Sequence, residues 1–478
     1  MKSVQRLMVW LGVLAFNSTV LMDPRQTVAD DPFEQPPIRY SASVSMDPVA
    51  MLKMRMDRGE VILRKEKPFG YLRDVLRELN VPQESQVLVF SKTSFQIHKI
   101  SPTNPRAIFF NDSVYVGYVP GSDTIELAAN DPSLGAVFYT LDGGDEDPSI
   151  DDGDSLGSGS NDPSAISTAS PLEKRIALQG AKLVRDRGQC LSCHATSRTE
   201  NVPGYLVRSV YPDRSGRPRT GSSSYATDYR SPFAHRWGGW YVTGTHGHLR
   251  HMGNAFAIDR DDPQKIDMDT GANLTALPDR VRPGIHLAQQ SDLVALMVLE
   301  HQVRIHNLIT KANYEARQSI AMDETMNQAL GRDRSYRSES TQRRINSAAN
   351  ALADGLFFRN EPRLESEVTG NGRFSAAFSA LGPRTEQNES LRELDLKSRL
   401  FRYPLSYLIY TPEFRALPEE ILSVVQSQLR AELNGEQADQ SRDENGKAPK
   451  NGAAWSPEER LTIKRILEQT APWLLDCA

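Results

Sequence analysis

Three cysteines stand in a chain of 478 residues, and two of them fall in one short run, Cys190-Leu191-Ser192-Cys193-His194. C-x-x-C-H is the spacing at which a c-type haem is attached. The two thiols can form thioethers with the two vinyl groups of a porphyrin, and the adjacent imidazole then lies under the iron as its proximal ligand. A structural zinc site would need further ligands, and the chain has no second C-x-x-C. A thioredoxin-like dithiol would need a βαβ setting, whereas a helix followed by polar loop is expected here. One motif predicts one covalent haem c, held by Cys190 and Cys193 and ligated by His194. It argues against a two-haem peroxidase. Cys477 reads as a free thiol.

The sixth iron ligand is sought in residues 236–254, where His246, His248, His251 and Met252 lie among Trp237, Trp240 and several glycines. Glycine lets backbone approach a flat ring closely. Trp and Tyr can cover its faces and donate hydrogen bonds to its propionates, and Arg236 and Arg250 can offset propionate charge. Met252 is the expected distal ligand, which gives a His/Met pair of raised potential. His246 is the alternative and His251 a third, each giving a bis-His site of lower potential. His235 and His248 read as loop hydrogen-bonders. His301 and His306 stand about 140° apart around a helix and read as buried, satisfied side chains, with His301 next in line for the distal role.

The elements that must position these residues suggest an α+β multidomain chain. Residues 36–141 read as an N-terminal mixed α/β domain. A short helix is expected over 69–79 and strands at 87–90, 107–110, 114–119, 125–127 and 136–139. Residues 142–165 carry Asp142, Asp145, Glu146, Asp147, Asp151, Asp152, Asp154 and Asp162 with no Lys or Arg between them, the composition of a disordered acidic linker or insertion. Residues 166–285 read as a mostly helical, loop-rich cytochrome c-like haem domain, entered by a helix at 171–186. In that reading Pro203-Gly204 resembles the proline turn that orients the proximal His. Residues 286–478 read as a helical C-terminal region, with helices at 291–318, 342–356, 392–400, 417–433 and 456–470 and a mobile loop at 434–453.

Lys2 and Arg6, the apolar stretch from Leu7 to Phe16 and the small-residue site Thr27-Val28-Ala29 have the layout of a signal peptide over 1–29, hence of a periplasmic or otherwise exported protein. An uncleaved membrane anchor is the rival reading of that segment; otherwise no integral membrane protein is expected. With Lys+Arg 56 against Asp+Glu 61, the net charge is -5, which gives no general pull toward nucleic acid.

Six stretches carry a resemblance: SQVLVFSKTSFQ, NDSVYVGYV, CLSCH, VPGYLVRSV, RWGGWYVTGTHG with HMGN, and LDLKSRLFRYPLSYLIY. In these the chain resembles a group of large bacterial, exported, single-haem cytochrome c domain proteins. The resemblance implies haem binding and electron transfer outside the cytoplasm. It carries roles only to Cys190, Cys193 and His194, and it makes the acidic segment an insertion. The expected function is electron transfer by Fe(III)/Fe(II) cycling with redox partner proteins. The alternative is a haem enzyme, peroxidase- or oxidoreductase-like, with an open distal site.

Overall fold

The computed structural model describes residues 31–143, 180–186, 188–436 and 455–475. The expected signal, nearly all of the acidic stretch, most of the 434–453 loop and Cys477 lie outside them. The described chain is a mixed α/β structure built on a seven-stranded antiparallel sheet.

Helices α1 (Pro48–Asp57) and α2 (Leu72–Glu78) come first. Asp47 caps α1 by accepting the N–H groups of Val49 and Ala50. Strands β1 (Val87–Val89), β2 (Arg106–Phe110), β3 (Val114–Tyr118), β4 (Thr124–Asp131) and β5 (Gly135–Gly143) then run as an antiparallel meander. Their β-branched and aromatic residues, punctuated by Asn, Asp, Pro and Gly, favour strands as expected.

β6 (Ala181–Arg185) pairs antiparallel with β5. The helix expected over 171–186 is therefore a strand in its last part, and residues 171–179 lie outside the described chain. The apolar positions Leu172, Ile176, Leu183 and Val184 suggested a helix, but the free edge of β5 offers backbone partners. Leu183 turns into the core and Val184 turns out, which is a period of two.

The chain continues through α3 (Leu191–His194), β7 (Val207–Val210), β8 (Ser224–Thr227), β9 (Trp240–Tyr241) and β10 (Gly244–Thr245). β9 pairs with β1, so the sheet runs β6-β5-β4-β3-β2-β1-β9. The expected mostly helical haem domain is not what residues 188–285 form. Their α-helix is the four-residue α3, among short strands, 3-10 turns and loops rich in Gly, Pro and Ser, which sustain helices poorly. Both β6 and β9 complete a sheet begun by residues 87–143, so the two expected domains share one sheet.

Helix α4 (Leu293–Leu330) is 38 residues long, longer than the 291–318 expected. Asp292 caps it through the N–H groups of Val294 and Ala295, and Gly331 ends it at φ 64°. Its first turns are buried on every side, the mark of a core helix. It crosses the β4–β5 hairpin, where a Cβ on Gly135 would lie 2.3 Å from Thr310 Cγ2. That turn also has φ 68°, so glycine is required twice over. Next come α5 (Glu339–Leu356), β11 (Thr369–Gly370), α6 (Phe374–Ala380), α7 (Pro412–Arg415), α8 (Glu419–Asn434) and α9 (Pro457–Thr470). The helix expected at 392–400 is irregular chain. Arg392 leaves it to lie 4.2 Å from the centre of the Tyr407 ring, and Leu396 has φ 61°, which breaks helical geometry. No helix among the described residues is long and apolar enough to cross a membrane.

Candidate functional site

The two faces of the sheet differ. Ala107, Tyr118, Ile125, Leu141 and Leu183 are successive cross-strand partners, and all are buried. Next to them Ile108, Gly117, Glu126, Thr140 and Val184 form a row on the opposite face. That row is half open, with Val184 38% exposed. Gly117 leaves space for the Arg106 guanidinium, which would lie 2.2 Å from a Cβ there, and Arg106 pairs with Glu126 across the gap. Ser94 and Gln96 donate to the same carboxylate at 3.2 and 3.0 Å. The loop they belong to holds Phe95 64% and Ile97 40% exposed.

The C-x-x-C-H turn stands beside this open row. Asp186, at the end of β6, accepts the N–H groups of Gly188 and Cys190, each at 3.0 Å, and so starts the turn. Cys190 and Cys193 are both free thiols, Cys193 exposed. Burial, then the carboxylates of Asp186 and Glu126, push the Cys190 thiol up to about 12. A thioredoxin-like nucleophile needs the opposite shift. His194 lies 4.9 Å, ring to ring, from Phe138. Its Nδ1 is 2.9 Å from the Gly204 carbonyl. A carbonyl only accepts, so Nδ1 carries the proton and Nε2 keeps its lone pair. Burial holds this imidazole below the usual His range, hence neutral. A neutral imidazole with one N–H tied to a carbonyl is in the form that ligates metals. The orienting carbonyl is that of Gly204, the residue after the Pro203 of the expected turn.

Asn307 on α4 holds that carbonyl's segment. Its Oδ1 accepts the Tyr205 N–H and its Nδ2 donates to the Tyr205 carbonyl, both at 2.8 Å. A Cβ on Gly204 would come within 2.4 Å of the same Oδ1. Asn307 does not stand out in the sequence. Its signal is a polar residue on a helix whose neighbouring positions are apolar, and that becomes specific only when residue 205 is known to lie opposite.

Met252 and His246, two of the expected distal residues, have partners of their own. Met252 is buried, with Ser209 Oγ donating to its Sδ at 3.5 Å and its methyl packed beneath Gly238. His246 has both nitrogens engaged: Nδ1 donates to the Leu249 carbonyl at 2.9 Å and Nε2 accepts the Asn273 N–H at 3.0 Å. Arg236 bonds Glu300 at 3.1 Å and the carbonyls of Tyr229 and Ser231, and Arg250 pairs with Asp269. Neither is left for a propionate. His248 meets Ser366 at 2.6 Å, the loop role expected of it, and His235 stacks on Tyr225 where a hydrogen bond was expected. His251 is buried with both ring nitrogens unpartnered, against Trp237 at 5.3 Å. His301 donates or accepts at Ser406 Oγ, 2.9 Å away.

Among the described residues no group of three or more His, Cys, Asp or Glu could hold a bare metal ion. No protein-family model, no curated protein and no solved structure matches the chain.

Proposed function

We propose that this chain is an exported c-type cytochrome that holds one covalent haem and transfers electrons. The reading is carried by one observation: two unpaired thiols at C-x-x-C spacing adjoin an imidazole whose Nδ1 is tied and whose Nε2 is free. The surroundings fit the group. Cys190 and Cys193 would hold it by thioethers and His194 by the iron. The half-open row with Val184, together with Phe95 and Ile97, offers exposed apolar side chains for a ring to cover. When bound, the haem supplies one-electron Fe(III)/Fe(II) chemistry. The chain fixes the imidazole's proton through Gly204 and Asn307, and it leaves Cys193 at the surface, where a redox partner protein can approach. Export is part of the proposal, because C-x-x-C-H haem is attached outside the cytoplasm.

A second reading, a haem enzyme with an open distal position, is favoured by the engagement of Met252 and His246 elsewhere. Spectra of the purified protein, oxidised and reduced, test both. Haem that survives acid–organic extraction and is low-spin and indifferent to peroxide supports transfer. High-spin, peroxide-reactive haem supports the enzyme, and a protein without haem refutes both.

A further inference from the structure

Beneath the site lies a buried group that electron transfer alone does not use. Tyr205 follows Gly204, and its hydroxyl donates to Asn130 Oδ1 at 2.9 Å. Asn130 Nδ2 lies 3.0 Å from His306 Nδ1, and the Tyr115 hydroxyl lies 2.9 Å from the same nitrogen. An amide NH2 only donates, so His306 Nδ1 is an acceptor and the ring's proton sits on Nε2. Nε2 faces Glu413 Oε1 at 3.4 Å. Neither Glu413 oxygen has a hydrogen-bond partner, although the side chain is buried. Leaving a carboxylate in that state is costly, and protonation relieves the cost.

We propose that the His306–Glu413 pair takes up a proton when the Cys190–His194 site gains an electron, so that the protein carries a proton with the electron. This deepens the haem reading and rests on it. The step balances simply: a reduced partner donates one electron, and solvent donates one proton to the Glu413 carboxylate. His306 keeps its own proton on Nε2 throughout, facing the carboxyl, so the imidazole stays neutral. A cavity of about 80 Å³ with Glu84, Asn111, Asp112 and Gln302 as its polar lining adjoins Gln302, whose Nε2 donates to the Tyr115 hydroxyl at 2.9 Å.

The charges around the pair favour uptake near neutral to alkaline pH. Burial first, then the Asp112 carboxylate, raise Glu413 to about 8. Arg392 pairs with Asp112. From α4, His301 faces the same interior and is held neutral by burial, as is His306. The remaining titratable neighbours, Tyr115, Tyr205 and Tyr407, are held protonated by burial. The rings from His194 through Phe138 and Tyr205 to His306 are spaced 4.9, 6.2 and 5.8 Å. Over roughly 15 Å at an effective dielectric of about 20, one unit of charge changes proton affinity about fivefold. Added negative charge raises the acid's pKa, so the potential falls as pH rises through that window.

The experiment is a potentiometric titration of the holoprotein from about pH 6 to about pH 10, for the native chain and for Glu413→Gln. Redox-difference infrared spectra at alkaline pH follow the protonated carboxyl band. The native potential should fall across a window just above pH 8, as for a proton bound about fivefold more tightly after reduction, and the carboxyl band should grow on reduction. In Glu413→Gln the fall and the band should both vanish. A flat native profile overturns the proposal, as does an unchanged slope or band in Glu413→Gln. If that variant does not fold, carbon-13 glutamate labelling of the native protein decides: a band on reduction that fails to shift with the label overturns the proposal. A protein without haem overturns the functional reading and the coupling together. That failure is told apart from failure of the pair itself by the carboxyl band against pH, which needs no haem.

Discussion

The turn at 190–205 and the loop at 236–254 hold the same kinds of side chain and use them in opposite ways. In the loop, hydrogen-bonding groups mostly bond within the protein. His246 spends both nitrogens on backbone, Trp240 Nε1 donates to the Arg208 carbonyl and Asn254 bridges to Val242. In the turn, neither cysteine is in a disulfide and one imidazole nitrogen is left over after the backbone is satisfied. Richness in His, Met and Trp marks a loop that is hard to hold in place. Unspent valence at fixed spacing marks a site.

The largest effect that separates the two regions is on the cofactor. Cys190→Ala with Cys193→Ala should lose all covalent haem, read by mass and by haem stain after acid–organic extraction. Met252→Ala and His246→Ala should both retain it. Retention by the double cysteine variant would erase the distinction.

The loop should instead answer in stability. Glu300→Ala leaves Arg236 buried without its carboxylate and should cost about 3–5 kcal/mol in urea unfolding. Covalent haem should be kept. Met252→Ala opens a cavity beneath Gly238 and should cost about 2–4 kcal/mol. With its sulfur held by Ser209, its loss should leave the redox potential unmoved, and a fall in potential would restore it as the distal ligand.

His251 gives the smallest effect and the finest test. Burial, then the neighbouring His246, lower it to about 3. A depressed folded pKa means that stability is present above the unfolded value and lost as pH falls below it. At pH 5 the loss should be about 2 kcal/mol relative to neutral pH. His251→Phe removes the unpartnered nitrogens, so its acid limb of stability against pH should be shallower by that amount. An unchanged limb would mean that His251 has a partner when the protein is loaded, which would reopen the distal question inside the loop.

The strands from 87 to 143 and the helices near 293–330, 339–356, 419–434 and 457–470 were legible from periodicity and punctuation. The failures share a cause. β6 and the 392–400 segment were read as helices from local spacing, but β5's free edge claimed one and Arg392's seat over Tyr407 reshaped the other. Local propensity is worth tenths of a kcal/mol per residue, and a tertiary partner outweighs it. The partners that Met252 and His246 have, Ser209 for one and Leu249 and Asn273 for the other, were hidden for a related reason, since sequence spacing does not show which groups a loop meets.

What the sequence determined alone was the C-x-x-C-H spacing, because that takes only five consecutive residues and those travel together. The tertiary structure decided everything that depends on a distant partner. It chose Gly204 as the carbonyl that sets the His194 tautomer, put Asn307 behind it from more than a hundred residues away, and turned one face of the sheet toward the thiols. It also buried His306 opposite Glu413. Hydrogen-bond direction and burial are properties of pairs, and a chain read one residue at a time does not contain its pairs.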